Sequence, residues 1–237
     1  MLYFNWKVDR MLIKGIQKVT LLDYPGKIAC TLFTGGCNFR CPFCQNASLV
    51  THVDDEKLDE EELLDFLKSR IGKLDAVCIS GGEPCLQKDL KEFCLKIKQM
   101  GFLIKLDTNG YFPEKIKELL DEKVLDYIAM DIKNCPEKYA LTAGVKIDLE
   151  KIKESVKLIQ TSGICHEFRT TVVQEFHTVQ DIALIASWIA PSSLYLQQFK
   201  DSGDLIQEGL HTVSLDALNH MRDEALQKNE SVFLRGV

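Results

Sequence analysis

The chain has 237 residues, enough for one full-sized domain, and its 46% hydrophobic and 27% charged content is that of a globular sequence and not of a disordered or low-complexity one. Lysine and arginine number 29 against 35 aspartates and glutamates, a net charge of −6, and no long basic block offers a footing for nucleic acid. No apolar run, 182–190 included, approaches the ~20 residues of a membrane span, and no secretory leader precedes the domain, so the expectation is a cytoplasmic protein with neither a nucleic-acid nor a membrane partner.

In chain order, residues 1–12 read as an N-terminal extension of uncertain origin ahead of a single domain over 13–237. From about residue 27 onward, short β-branched or apolar runs alternate with amphipathic helical patterns. The predicted strands are 28–33, 76–80, 103–107, 127–131, 167–173 and 194–199. The predicted helices are 56–68, 90–100, 114–122, 149–160, 179–189 and 213–227, with a short apolar end at 232–234. Asp54 and Asp55 are the cap candidates of the first helix; Gly101 closes the second, and Pro113 opens the third. Six strand-helix units in succession predict an α/β fold, an incomplete (βα)6 parallel barrel, with a doubly wound open sheet as the competing architecture. In either, ligands bind at the carboxyl ends of the strands, which is where the polar and glycine-rich segments of this chain fall.

Nine cysteines are an odd number, and three of them, Cys37, Cys41 and Cys44, lie within eight residues directly after Gly35 and Gly36. Soft thiolates at this density select zinc, copper or iron-sulfur centres. A structural zinc needs four ligands, and the chain has no second C-x-x-C pair. Three thiolates can instead hold three irons of a cubane and leave the fourth open to a substrate. Cys30, Cys78, Cys94 and Cys165 read as core residues. Cys85 and Cys135 fall nearer the expected site, where a redox or secondary-ligand role stays open. His52, His166, His177, His211 and His220 form no ligand pattern and read as surface or turn residues.

The C-x3-C-x2-C spacing, with Phe43 before its last cysteine, resembles the signature of the radical S-adenosylmethionine (SAM) superfamily. The flanking GIQKVTLLDYPG at 15–26 and Cys44-Gln45-Asn46 are similar to the activating enzymes of glycyl-radical enzymes, above all to the anaerobic ribonucleoside-triphosphate reductase activating proteins. The resemblance implies a 4Fe-4S cluster on Cys37, Cys41 and Cys44. It also implies reductive cleavage of SAM, a glycyl-radical enzyme as protein substrate, and a low-potential reductant such as flavodoxin or ferredoxin.

Four later segments extend it. Ser80-Gly81-Gly82-Glu83-Pro84 resembles the motif that holds the methionine ammonium group, although by itself it reads equally as a glycine turn before a helix. Asp107-Thr108-Asn109-Gly110, otherwise an Asx-type turn, matches the segment beside the methionine carboxylate. With Asp131 it implies a monovalent-cation site on Asp107, Thr108 and Asp131, a task that Lys133 could share. Arg169 sits in an apolar strand and needs an anion, either the cofactor or a structural acid. Gln197 and Gln198 close the last strand, with Gln198 taken as the cofactor contact. The cofactor-binding set implied is therefore Phe43, Ser80, Gly81, Gly82, Glu83, Asp107, Thr108, Lys133, Arg169 and Gln198. The alternatives are an activase of the pyruvate formate-lyase type, a small-molecule radical enzyme, and a non-catalytic zinc or cluster-binding protein.

Overall fold

Eight strands, β1 (Ile13–Thr20), β2 (Ala29–Thr34), β3 (Ala76–Gly81), β4 (Leu103–Thr108), β5 (Tyr127–Asp131), β6 (Cys165–Val172), β7 (Leu194–Gln198) and β8 (Val232–Arg235), form one sheet in chain order among the described residues. These are residues 11–52 and 57–236 of a computed structural model. β2 to β8 are mutually parallel, and β1 pairs antiparallel with β2. All six predicted strands are present as β2 to β7, and a strand not predicted flanks them on each side. β1 is rich in lysine and glutamine and runs along an edge, where such residues discourage further pairing. β8 has only four residues, too few to show a period.

The helices follow the parallel strands as α1 (Ala47–Thr51), α2 (Glu60–Ser69), α3 (Leu90–Gln99), α4 (Pro113–Asp121), α5 (Tyr139–Ala143), α6 (Leu149–Thr161), α7 (Val179–Ile189) and α8 (Leu215–Leu226). The six predicted helices are α2, α3, α4, α6, α7 and α8, while the five-residue α1 and α5 are too short to carry a helical period. α2 starts at Glu60 because the Asp59 carboxylate caps it, accepting from the backbone of Glu61 and Glu62. Asp54 and Asp55, and residues 1–10 of the expected extension, lie outside the described residues. Thr178 and Asp181 cap α7 reciprocally.

Strand alternation sorts the side chains onto two faces. Ile104, Leu106, Ile128, Met130, Phe168, Val172, Leu194 and Leu196 are fully buried in the main hydrophobic core. The opposite face carries Lys105, Asp107, Asp131, Glu167, Arg169 and Arg235, which are charged and paired with one another. At its lower end Tyr24, from the loop between β1 and β2, packs on Tyr127 with ring centroids 5.6 Å apart. Glu167 takes a bidentate pair from Arg235 at 2.6 and 2.8 Å and the Tyr127 hydroxyl at 3.0 Å. A parallel sheet with charge on one face needs something polar to surround, and that face leads to the site.

Candidate active site

The loop after β2 carries Cys37, Cys41 and Cys44, and the backbone around it is fixed from three sides. The Arg40 amide donates to the Ala143 carbonyl at 2.8 Å, and the Arg40 guanidinium folds back onto the carbonyls of Cys37 and Phe39 at 2.7 and 2.8 Å. The Glu83 amide donates to the Gly36 carbonyl at 2.8 Å. Both contacts need glycine: a Cβ on Gly82 would overlap the Gly36 carbonyl oxygen, and a Cβ on Gly144 would overlap that of Arg40. Phe43 is buried against Phe176 and His177, ring centroids 5.9 and 6.2 Å away.

All three cysteines open onto a cavity of about 350 Å³ at the carboxyl ends of the strands, within the range of about 300 to 1,000 Å³ usual for small-molecule sites. Phe43, Ser80, Gly81, Gly82, Asp107, Thr108, Asp131, Lys133 and Arg169, all named from the sequence, line it. Arg169 is the hinge of its charge distribution. Its Nε donates to Asp131 at 2.8 Å, and its Nη1 lies 3.4 Å from Asp107, reaching across Ala129, whose small side chain leaves the gap. Lys133 holds the other Asp131 oxygen at 3.1 Å, and Lys105 holds the other Asp107 oxygen. Burial alone would push the Asp131 carboxyl up, but Arg169 and Lys133 outweigh it and hold it at about 2. Asp107 is held below its ordinary value in the same contest, by Arg169 and Lys105. Of the charged residues that line the cavity, Lys133 and Arg169 are the two cations, set against Asp23, Asp107 and Asp131, so an incoming carboxylate would be met by these two groups and not by a net positive wall.

Several expected residues stand elsewhere. Glu83 does not line the cavity: it is fully buried, and its oxygens accept from the Cys85 amide at 3.0 Å, the Thr108 hydroxyl at 2.7 Å and the Asn109 amide at 2.7 Å. Its position clamps the end of β3 to the end of β4. Gln197 faces the cavity, whereas Gln198 is turned away by strand alternation and donates to the Val213 carbonyl at 2.8 Å. Cys85 and Cys135 are buried outside the cavity lining, beside the Thr108 hydroxyl and the Asp181 carboxylate respectively. Cys165, expected in the core, is exposed. His177 is not a surface residue: it is buried, accepts from the Val173 amide at 3.2 Å and reaches the Lys133 carbonyl at 2.9 Å, supporting both Phe43 and Lys133. Asp23, Asn109 and Thr171 line the cavity without having been singled out. Asp23 belongs to the DYPG segment, which was the available signal.

Burial pushes Cys37 up to about 12 and Cys41 up to about 11, so each needs a bound cation to persist as a thiolate. Three thiolates on one loop can be spread over three irons of a cubane.

A family model described as the Radical SAM superfamily matches residues 31–189. The chain belongs to the radical SAM superfamily. Among the relatives of this radical SAM protein is MJ1227 of Methanocaldococcus jannaschii, named as a glycyl-radical enzyme activating enzyme, 35% identical over 90% of each chain. A GTP 3',8-cyclase of Helicobacter pylori is 29% identical over 64% of this chain and 49% of its own. The fold matches a domain of a pyruvate-formate lyase-activating enzyme from Bacteroides vulgatus with a TM-score of 0.56 at 16% identity, over 68% of this chain and 99% of that one.

Radical SAM enzymes use a 4Fe-4S cluster and SAM, and the donor set fits both. Three free thiols on one cavity suit three irons, and the Lys133 and Arg169 cations suit the methionine carboxylate. The monovalent cation does not fit. Each oxygen of Asp107 and Asp131 already meets Lys105, Arg169 or Lys133, and the Thr108 hydroxyl is turned to Glu83. The glycine contacts give a first prediction for this radical SAM enzyme. Gly82→Ala forces the cysteine loop off the end of β3, an overpacking of about 1–3 kcal/mol concentrated on the ligand loop. Anaerobic reconstitution followed by iron and sulfide analysis should recover well under half of the wild-type cluster, with the far-UV circular dichroism retained. Wild-type loading would show that the loop tolerates the displacement.

Proposed function

We propose that this radical SAM enzyme installs a glycyl radical on a partner protein, and that the partner is an anaerobic ribonucleoside-triphosphate reductase. The observation that carries the activase reading is the 35% identity to MJ1227 over 90% of both chains. The GTP cyclase likeness is confined to about half of that enzyme and favours only the shared radical SAM portion. The choice of reductase over an enzyme of the pyruvate formate-lyase type rests on the GIQKVTLLDYPG segment. There Tyr24 seats beneath the charged face and Asp23 lines the cavity, accepting from the Thr31 hydroxyl at 2.5 Å.

Cys37, Cys41 and Cys44 hold the cluster through three irons. Lys133 and Arg169 are the cations that meet the methionine carboxylate, and the backbone of Ser80, Gly81 and Gly82 lets the ligand approach closely. Phe43 and the core behind it exclude water from the cluster side. When bound, the cluster supplies the electron that cleaves SAM to methionine and a 5'-deoxyadenosyl radical, which abstracts hydrogen from the partner's glycine. All nine cysteines are free, which is compatible with a reducing compartment, and the proposal places the protein in the cytoplasm with flavodoxin or ferredoxin as electron donor. Among the described residues no helix is long and apolar enough to cross a membrane.

The test is anaerobic incubation of the reduced, reconstituted protein and SAM with either a class of reductase or a pyruvate formate-lyase carrying the acceptor glycine. A glycyl-radical doublet formed in the reductase, with about one 5'-deoxyadenosine per radical, is the expected result. A doublet only in the lyase would move the assignment to the alternative partner. Consumption of GTP with no protein radical would replace the activase reading by a small-molecule one.

A further inference from the structure

His177, in the turn after β6, touches two parts of the site that come from distant stretches of the chain. Its ring meets Phe43 edge-on, centroids 6.2 Å apart at 69°, and its Nε2 lies 2.9 Å from the carbonyl oxygen of Lys133. Phe43 precedes the third cysteine of the loop, and Lys133 is one of the two cations lining the cavity. The histidine itself is 3% exposed and does not line the cavity.

Both ring nitrogens can be assigned. A carbonyl oxygen only accepts, so Nε2 carries a hydrogen and donates to Lys133. Nδ1 lies 3.2 Å from the Val173 amide and 3.4 Å from the Val173 carbonyl. Burial pushes the imidazole below its ordinary value, and the neighbouring Asp181 carboxylate is already held by Lys138 at 2.7 Å. The ring is therefore neutral, and Nδ1 accepts from the Val173 amide.

The backbone after β5 is pinned to β6 and its turn one residue at a time. The Ile132 carbonyl accepts from the Thr170 hydroxyl at 2.9 Å, the Lys133 carbonyl from His177, and Asn134 Nδ2 donates to the Phe176 carbonyl at 3.0 Å. A lysine ammonium rides on a flexible four-carbon stem, so where it points depends on how firmly its own backbone is held. In Lys133 the ammonium reaches Asp131 at 3.1 Å, and the bond that holds the residue's own carbonyl is the one from His177.

We propose that His177 is a positioning residue for SAM: its Nε2–H fixes Lys133 and its ring fixes Phe43, so that the cation meeting the methionine carboxylate keeps one spacing from the cluster loop. The proposal rests on Lys133 meeting that carboxylate.

The experiment is equilibrium dialysis of labelled SAM against the anaerobically reconstituted, oxidised protein and its His177→Asn and His177→Gln variants, with iron content measured in each. Asparagine places an oxygen near Nδ1 and keeps the bond from Val173, but it does not reach Lys133. Glutamine places a nitrogen near Nε2 and keeps the donor to Lys133. The expected result is full iron in both variants, SAM binding about tenfold weaker in His177→Asn, the worth of one hydrogen bond, and less than about threefold weaker in His177→Gln. A structural role would follow the Val173 bond and penalise glutamine at least as much as asparagine, and that order would overturn the proposal, as would wild-type binding in both. Loss of iron from His177→Asn would overturn it in favour of a role in building the cysteine loop. Lys133→Ala supplies the second arm: His177→Asn should weaken binding little further in that background, because both act through one ammonium group. A further tenfold loss there would overturn the proposal. Wild-type SAM binding by Lys133→Ala alone would instead remove the carboxylate contact of the proposed function, and the positioning role with it.

Discussion

Replacing Cys41 by alanine should lower the release of 5'-deoxyadenosine by at least about 10³-fold, equivalent to roughly 4 kcal/mol at the barrier, while leaving the protein folded. Cys41 is 7% exposed and lines the cavity together with Lys133, whose ammonium group opposes the rise that burial imposes on the thiol. Deleting it removes one of three cluster ligands and costs the core only a single sulfur, since the adjacent Phe43 keeps its own contacts with Phe176 and His177. Catalysis and stability should therefore separate: iron content and deoxyadenosine fall, and the thermal midpoint hardly moves. The matched control is Cys165→Ala, an exposed cysteine at the amino-terminal end of β6, far along the strand from the cavity. It should keep full activity. Cleavage of SAM by Cys41→Ala at near wild-type rate would contradict the ligand assignment.

The largest expected effect on stability comes from Arg169→Met. This arginine is 13% exposed in its side chain and is shared by Asp107 and Asp131, so its removal leaves two carboxylates on the adjacent strands β4 and β5 with only Lys105 and Lys133 to balance them. Breaking a buried ion pair by removing one partner costs about 3–5 kcal/mol, and methionine keeps the volume, so the loss is one of charge and not of packing. The pH dependence supplies a signature. Asp131 is held at about 2, below the ordinary 3.8, so its contribution to wild-type stability is complete above the ordinary value and is lost as pH falls toward 2. The difference in thermal midpoint between wild type and Arg169→Met should accordingly be greatest near pH 7 and should shrink steadily below about pH 4. A constant difference across that range would mean that Arg169 acts by packing. The same variant should bind SAM more weakly, because the cavity lining loses one of its two cations.

The sequence was most legible where one element answers to one physical rule. The six central strands are short apolar runs bounded by turns, and the helices over them have caps or glycine stops that can be read locally. Cysteine spacing needed no tertiary information at all. The edges were less legible for reasons of length and composition: β1 is an antiparallel edge with lysines on it, and β8 is four residues long. Within the site, the residues misplaced are those whose role depends on which way a strand turns them. Gln197 and Gln198 differ only by alternation. Glu83 carries the charge expected of an ammonium ligand, but three donors from Cys85, Thr108 and Asn109 take up its oxygens inside the fold. The cation site failed similarly. Asp107 and Asp131 read as a pair of acids in need of a metal, and only the fold shows Lys105, Arg169 and Lys133 arriving from β4, β6 and the end of β5 to neutralise them. His177, buried by the turn after β6, carries no pattern in the sequence because its partners are backbone groups of Val173 and Lys133.

The central claim is that three thiolates hold a cluster with an iron left open to SAM on this cavity. Low-temperature EPR of the reconstituted, reduced protein, recorded with and without SAM in the same preparation in which 5'-deoxyadenosine is measured, tests it most directly. The account predicts a reduced-cluster signal whose g-values shift when SAM is added, accompanied by deoxyadenosine. A cluster signal indifferent to SAM, with no deoxyadenosine formed, would contradict it.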